Sequence, residues 1–191
     1  MNICIFGSAS NRIDPSYIEA VESLGEKLAK QGHALIYGAG SGGLMGASAR
    51  GFYRGKGKIT GIAPEFFTET KVDGELFEQC DEMIYTDTMR IRKQKMEHAA
   101  DIFVVVPGGL GTFDEVFEIL TLRQLRQLNK EIYFYNINGY YDEMFAFLET
   151  SKSKGFISQN FEDLFTVFND EKSLLDAISS KNKAKPRARV S

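Results

Sequence analysis

Pro107-Gly108-Gly109-Leu110-Gly111-Thr112-Phe113-Asp114-Glu115 combines three glycines, a hydroxyl and a carboxylate within nine positions. These are the types needed to hold an anion beside an acid. Gly108, Gly109 and Gly111 let a ligand reach the backbone without meeting a Cβ. A helix that begins here leaves its first amides without intrahelical partners, at its positive end. Phosphate is the anion such a turn suits best, and Thr112 adds a hydroxyl donor. Pure phosphate binding does not need Glu115. On the residues alone it has two readings: Thr112-x-x-Glu115 has the form of a capping box, in which Glu closes on the backbone of the cap, or the carboxylate acts on whatever the phosphate anchors.

The flanking segments place that turn. Asp101 is followed by five apolar residues, Ile102 to Val106, the pattern of a strand buried on both faces of a parallel sheet. A helix over 112–128 follows, so the glycines sit at the carboxyl end of a central strand, where open α/β sheets bind ligands. That helix is apolar nearly all round: Phe113, Val116, Phe117 and Leu120 lie on one side, Leu122 and Leu125 on the other. Two buried sides in so small a domain predict a subunit interface.

Upstream, a strand over Asn2–Phe6 ends in a second small-residue turn, Gly7-Ser8-Ala9-Ser10. Pro15 opens a helix with the apolar stripe Ile18, Val21, Leu24 and Leu28, and Gly32 closes it. His33–Tyr37 is the second strand. His33 reads as a surface residue, and His98 has no partner at metal-ligand spacing. Gly38-x-Gly40-x-x-Gly43, with Glu65 22 residues after Gly43, satisfies a dinucleotide fingerprint. It follows the second strand rather than the first, which makes it weak evidence. The helix it opens runs through about Arg54. A third strand covers Lys58–Ala63, a loop over the site covers 65–80, and a fourth strand covers Glu82–Tyr85.

The helix over 87–100 carries Met89, Met96 and Ala100 on one stripe, flanked by Arg92 and Lys93. These two cations either reach into the cleft beside the glycine turn or snorkel to solvent, and spacing alone favours the second. A strand at Ile132–Tyr135, a helix after Gly139-Tyr140-Tyr141, a strand at Leu164–Phe168 and a helix near Glu171–Ser179 complete the alternation. Repeated strand–helix order predicts the α/β class: a Rossmann-like, doubly wound, mainly parallel sheet of about seven strands flanked by helices.

With 191 residues, 43% of them hydrophobic, the chain reads as one nucleotide-binding domain over 1–180, followed by a basic, disordered tail over 181–191. The net charge is −3, and setting aside the tail's five cations leaves −8 on 1–180. An acidic body argues against binding a nucleic acid polymer. There is no apolar run of membrane-spanning length and no basic start of a secretory signal, and Cys4 and Cys80 make no disulfide framework. The expected location is the cytoplasm.

Beyond these patterns, the residues resemble the LONELY GUY (LOG) family of cytokinin riboside 5′-monophosphate phosphoribohydrolases, long catalogued as possible lysine decarboxylases. Pro107–Glu115 resembles the PGGxGTxxE signature. Phe6–Ser10 resembles the GSS turn, Tyr37–Gly46 resembles YGGGxxGLMG, and Met89-Arg90-Ile91-Arg92-Lys93 resembles MHxRK. Thr121–Leu125 and Asn138–Tyr141 match two later blocks. Arg90 stands in place of the motif's His, Ala39 in place of a glycine, and Asp114 in place of the commoner Glu.

The resemblance implies a homodimer that hydrolyses the N-glycosidic bond of a cytokinin-type or adenine nucleoside 5′-monophosphate, with no cofactor and no metal. It implies Arg92 and Glu115 as the catalytic pair. Gly7, Ser8, Gly43, Met89, Lys93, Pro107, Gly108, Gly109, Gly111, Thr112 and Thr121 are implied on the substrate. The alternative is a nucleotide or cofactor carrier that does no chemistry, as the molybdenum-cofactor carriers resemble the same glycine-turn fold. A pyridoxal phosphate decarboxylase would need a Schiff-base lysine, and no lysine here has a context suggesting one.

Overall fold

The computed structural model describes residues 1–67, 75–157 and 160–184. Seven strands form one parallel sheet: β1 (Asn2–Phe6), β2 (Ala34–Tyr37), β3 (Ile59–Pro64), β4 (Glu82–Thr86), β5 (Ile102–Val105), β6 (Ile132–Tyr135) and β7 (Thr166–Phe168). Their order across the sheet is β4-β3-β2-β1-β5-β6-β7. The chain winds outward from β1 in one direction, returns, and winds outward from β5 in the other. The crevice at the carboxyl ends of β1 and β5 is therefore the topological switch point.

Helices α1 (Pro15–Lys30), α2 (Gly43–Arg54) and α6 (Glu171–Ala184) cover one face, and α3 (Met89–Ala99), α4 (Leu110–Gln124) and α5 (Asp142–Ser153) cover the other. Strand pleating divides the core between them. Ile3, Ile5, Ile102 and Val104 pack towards α1 and α2, whereas Cys4, Phe6, Phe103 and Val105 pack towards α3 and α4. The apolar run in β5 is buried along its whole length, as expected of a strand covered on both faces.

Most predicted elements appear within two residues of their expected limits. The last helix runs further, to Ala184, and Lys181 lies on it, 2.6 Å from Glu131. Residues 185–191 lie outside the described residues, as do 68–74 of the expected loop over the site. Residues 75–77 of that loop lie across the turn that follows β2: Ser41 N–H donates to the Glu75 carbonyl at 2.8 Å, and Phe77 N–H to that of Ala39 at 2.9 Å.

His33 departs from its expected place at the surface, being only 3% exposed. Gly32 turns the chain in the left-handed region (φ 80) and His33 N–H donates to the Leu28 carbonyl. This folds the ring against the start of β1, where its Nδ1 stands 3.4 Å from the Met1 nitrogen. Burial and that nitrogen hold its pKa down to about 4.

Candidate active site

Helix α4 takes its N-cap at Gly109, three residues before the Thr112 that a capping box requires. Gly109 is the N-cap and offers no side chain, and the first ladder bond runs from Phe113 N–H to the Gly109 carbonyl at 2.9 Å. The amides of Leu110, Gly111 and Thr112 precede that bond and have no place in the helical ladder. Thr112 is therefore the third helical residue and Glu115 the sixth. Glu115 does not close on its own backbone, so the capping reading is excluded. Thr112 folds back over Gly108, where a Cβ would overlap its side chain.

Glu115 instead meets Arg92. The Arg92 Nη1 donates to Glu115 Oε1 at 3.0 Å, and its Nε donates to the Ile62 carbonyl at 2.9 Å. Arg92 is 3% exposed and Glu115 8%. Four elements converge to build this pair. Thr88 caps α3 by accepting from Ile91 N–H, which sets Arg92 within the first turn. The strand β3 supplies the Ile62 carbonyl and α4 supplies the carboxylate. The turn after β2 supplies room, because a Cβ on Gly38 would overlap the Arg92 guanidinium. Arg92 thus does not snorkel. Burial pushes the Glu115 carboxyl above the usual carboxylate range, against the pull of the Arg92 guanidinium.

Around the pair lies a cavity of about 210 Å³, lined by Gly7, Ser8, Ala9, Met45, Met89, Arg92, Gly109, Gly111, Thr112 and Glu115. Ser8 and Gly109 also border a second cavity of about 300 Å³, walled by Ile13, Tyr17, Leu44, Pro107, Gly108 and Tyr140. These two cavities bring together ten of the thirteen residues expected at the site. Gly43, Lys93 and Thr121 are the exceptions. Gly43 N–H donates to Asn11 Oδ1 at 2.8 Å, and the next two amides, of Leu44 and Met45, donate to the Ser8 carbonyl. The start of α2 is thereby occupied by the protein's own oxygens, so the dinucleotide fingerprint is a structural turn that braces the Ser8 turn. Lys93 pairs with Asp114 and Glu118, and Thr121 donates to the Phe117 carbonyl of its own helix. Both line a separate open groove with Phe113, Phe117 and Leu122.

Sequence reasoning passed over Gly38 as a space-maker and Asn11 as a cap for α2. Each acts through a partner tens of residues away, and local spacing carries no sign of it. Among the described residues, no three His, Cys, Asp or Glu side chains cluster to hold a metal ion, and no helix is long and apolar enough to cross a membrane.

Fold and site together define a Rossmann-like α/β protein with a glycine turn and a buried carboxylate–guanidinium pair at its switch point. The chain belongs to the LOG family: the family model described as "Possible lysine decarboxylase" matches residues 45–178. It is 34% identical over 176 residues to a cytokinin riboside 5′-monophosphate phosphoribohydrolase of Arabidopsis thaliana, covering 92% of this chain and 81% of that protein. A probable cytokinin riboside 5′-monophosphate phosphoribohydrolase of Oryza sativa subsp. japonica is 35% identical over 156 residues, or 82% of this chain. This chain spans 62% of that rice protein's length. Among solved structures, the molybdenum cofactor carrier protein of Chlamydomonas reinhardtii matches with a TM-score of 0.69 at 20% identity, covering 94% of this chain and 96% of that one. At that identity the likeness is one of fold.

Proposed function

We propose that this chain hydrolyses the N-glycosidic bond of a nucleoside 5′-monophosphate, of the cytokinin or plain adenine kind, to free base and ribose 5-phosphate. The observation that carries this reading is the buried Glu115 carboxylate, oriented by Arg92 in the cavity that also borders the start of α4. The names of the family relatives support the same class of reaction.

In this scheme the phosphate rests on the amides of Leu110, Gly111 and Thr112, with the Thr112 hydroxyl beside it. Binding so far from the scissile bond positions the ribose against Glu115. Cleavage builds positive charge on the sugar, as in glycosidases. Glu115 stabilises that charge and orients the attacking water or the ribose hydroxyls. Water delivers its hydroxyl to the anomeric carbon, and the base leaves with the bonding pair and takes up the proton. Arg92 holds Glu115 in place and offers positive charge to the phosphate or the departing base. The scheme uses no metal and no cofactor.

A homodimer goes with this reading. Phe117 and Leu125 on the α4 side are 41% and 60% exposed, and a second copy seated there would cover the groove that holds Lys93 and Thr121. Light scattering of Leu125→Glu against the parent chain tests it, the variant being expected as a monomer.

The activity test is incubation with AMP and with isopentenyladenosine monophosphate, followed by separation of the products. Free base is expected from at least one of them, and Glu115→Gln should lower turnover by about 10² or more. Full rate in that variant would refute the assignment. Tight binding with no base release would point to a carrier.

A further inference from the structure

Gly139-Tyr140-Tyr141 follows β6, far along the chain from the phosphate turn, and the scheme above gives it no task. In the structure it is wired directly to that turn. Tyr141 Oη donates to the Val106 carbonyl at 2.8 Å, and Tyr140 Oη donates to the Gly108 carbonyl at 2.8 Å. Between them, the Pro107 carbonyl accepts from Ser8 N–H at 3.1 Å. Three successive carbonyl oxygens leading into α4 are thus each held by a donor from another element. An unheld carbonyl oxygen facing the site would repel an anion.

The tyrosines are themselves fixed. Asn138 and Gly139 take left-handed conformations (φ 53 and 71) that turn the chain back towards the switch point. Asn136 accepts from Tyr141 N–H at 2.8 Å and donates to Asp142 at 2.7 Å. The Tyr140 ring packs edge-on against Tyr141 and Tyr17, with centroids 4.9 and 6.4 Å away.

We propose that Tyr140 is a positioning residue for phosphate, holding the Gly108–Gly109 peptide so that its N–H, not its carbonyl, faces the bound anion. This rests on the phosphate reading given above. The Gly108–Gly109 peptide bond is trans, so the Gly108 C=O and the Gly109 N–H point opposite ways. With the carbonyl turned to Tyr140, the N–H turns away from it, and Gly109 also borders the Arg92–Glu115 cavity. Both residues of this peptide are glycine, and a Cβ at Gly109 would meet nothing within 4 Å. With no Cβ on either residue, and only Thr112 packed against Gly108, backbone sterics fix the orientation of this peptide weakly, and the tyrosine hydroxyl adds the restraint.

The test is Tyr140→Phe, which removes the hydroxyl and keeps the ring. Tyr140 is 43% exposed, so the fold should tolerate the change. Calorimetric titration with ribose 5-phosphate should show affinity lower by about tenfold, the scale of one lost hydrogen bond. Affinity for adenosine, which lacks the phosphate, and the thermal midpoint should not change. In the AMP assay, KM should rise by a similar factor with kcat little altered. Equal binding of ribose 5-phosphate by variant and parent would overturn the inference. So would a parallel loss of adenosine binding and thermal stability, which would mark a general structural role. Both results leave the phosphoribohydrolase reading standing. A parent protein that binds no ribose 5-phosphate would overturn the phosphate site, and this inference with it.

Discussion

Arg92 and Glu115 form a nearly dry ion pair, and its energetics can be separated from its chemistry. At 3.0 Å and an effective dielectric of about 20, their attraction is about 5 kcal/mol. Desolvation of both groups offsets much of that, so the pair as a whole adds little net stability. Removing one partner is another matter. Arg92→Met or Glu115→Leu alone strands the other charge and should cost about 3–5 kcal/mol. The double variant leaves no charge and should return to within about 2 kcal/mol of the parent, a coupling of at least about 4 kcal/mol across the cycle. Urea unfolding followed by circular dichroism, with constant m-values, measures all four corners. Arg92→Met carries a further sign. Its Glu115 loses the pull that the Arg92 guanidinium exerts against burial, so its folded pKa rises further and the carboxyl folds best when protonated. The deficit of this variant should therefore shrink as pH falls and deepen as pH rises through the folded pKa. Base release should be abolished in both singles and the double alike. Single costs below about 1 kcal/mol, or costs that simply add, would refute the buried-pair reasoning.

Three other outcomes follow from the same geometry. The acid limb of the kcat/KM profile should titrate above the usual carboxylate range, because burial raises Glu115 and its ionised form is the working one, and Glu115→Gln should lose that limb. Gly38→Ala places a methyl where the Arg92 guanidinium sits; the chain should still fold, while base release drops by about 10²-fold as the pair is displaced. His33 has a folded pKa of about 4 against an ordinary 6.5, so the neutral ring stabilises the fold above pH 6.5 and that contribution fades as pH falls towards 4. The loss should be on the order of 1–3 kcal/mol, and a His33→Gln variant compared with the parent in urea at pH 7 and 4.5 should lack it.

What could be read beforehand follows from how local each signal is. The β5 run Ile102–Val106 and the glycines after it identify a central strand and its turn, because burial on both faces and a bare backbone are both written in adjacent residues. The start of α4 is not legible in the residues because Gly109 caps without a side chain, whereas Thr112 and Glu115 imitate a box further on. Arg92 could not be separated from Lys93 by period alone. Its burial depends on the Ile62 carbonyl, on the missing Cβ of Gly38 and on a carboxylate 23 positions later. The family resemblance, not the spacing, singled it out. The burial of His33 is hidden for the same reason: the turn at Gly32 folds its ring against the start of a strand about thirty residues upstream. Long-range contacts of this kind leave no periodic trace.

The most direct measurement is a crystal structure of the chain with ribose 5-phosphate bound. The phosphate should lie on the amides of Leu110, Gly111 and Thr112, with the ribose ring over Glu115 and the carboxylate still held by Arg92. A sugar phosphate seated elsewhere, or a Glu115 side chain turned away from the ribose, would contradict the account.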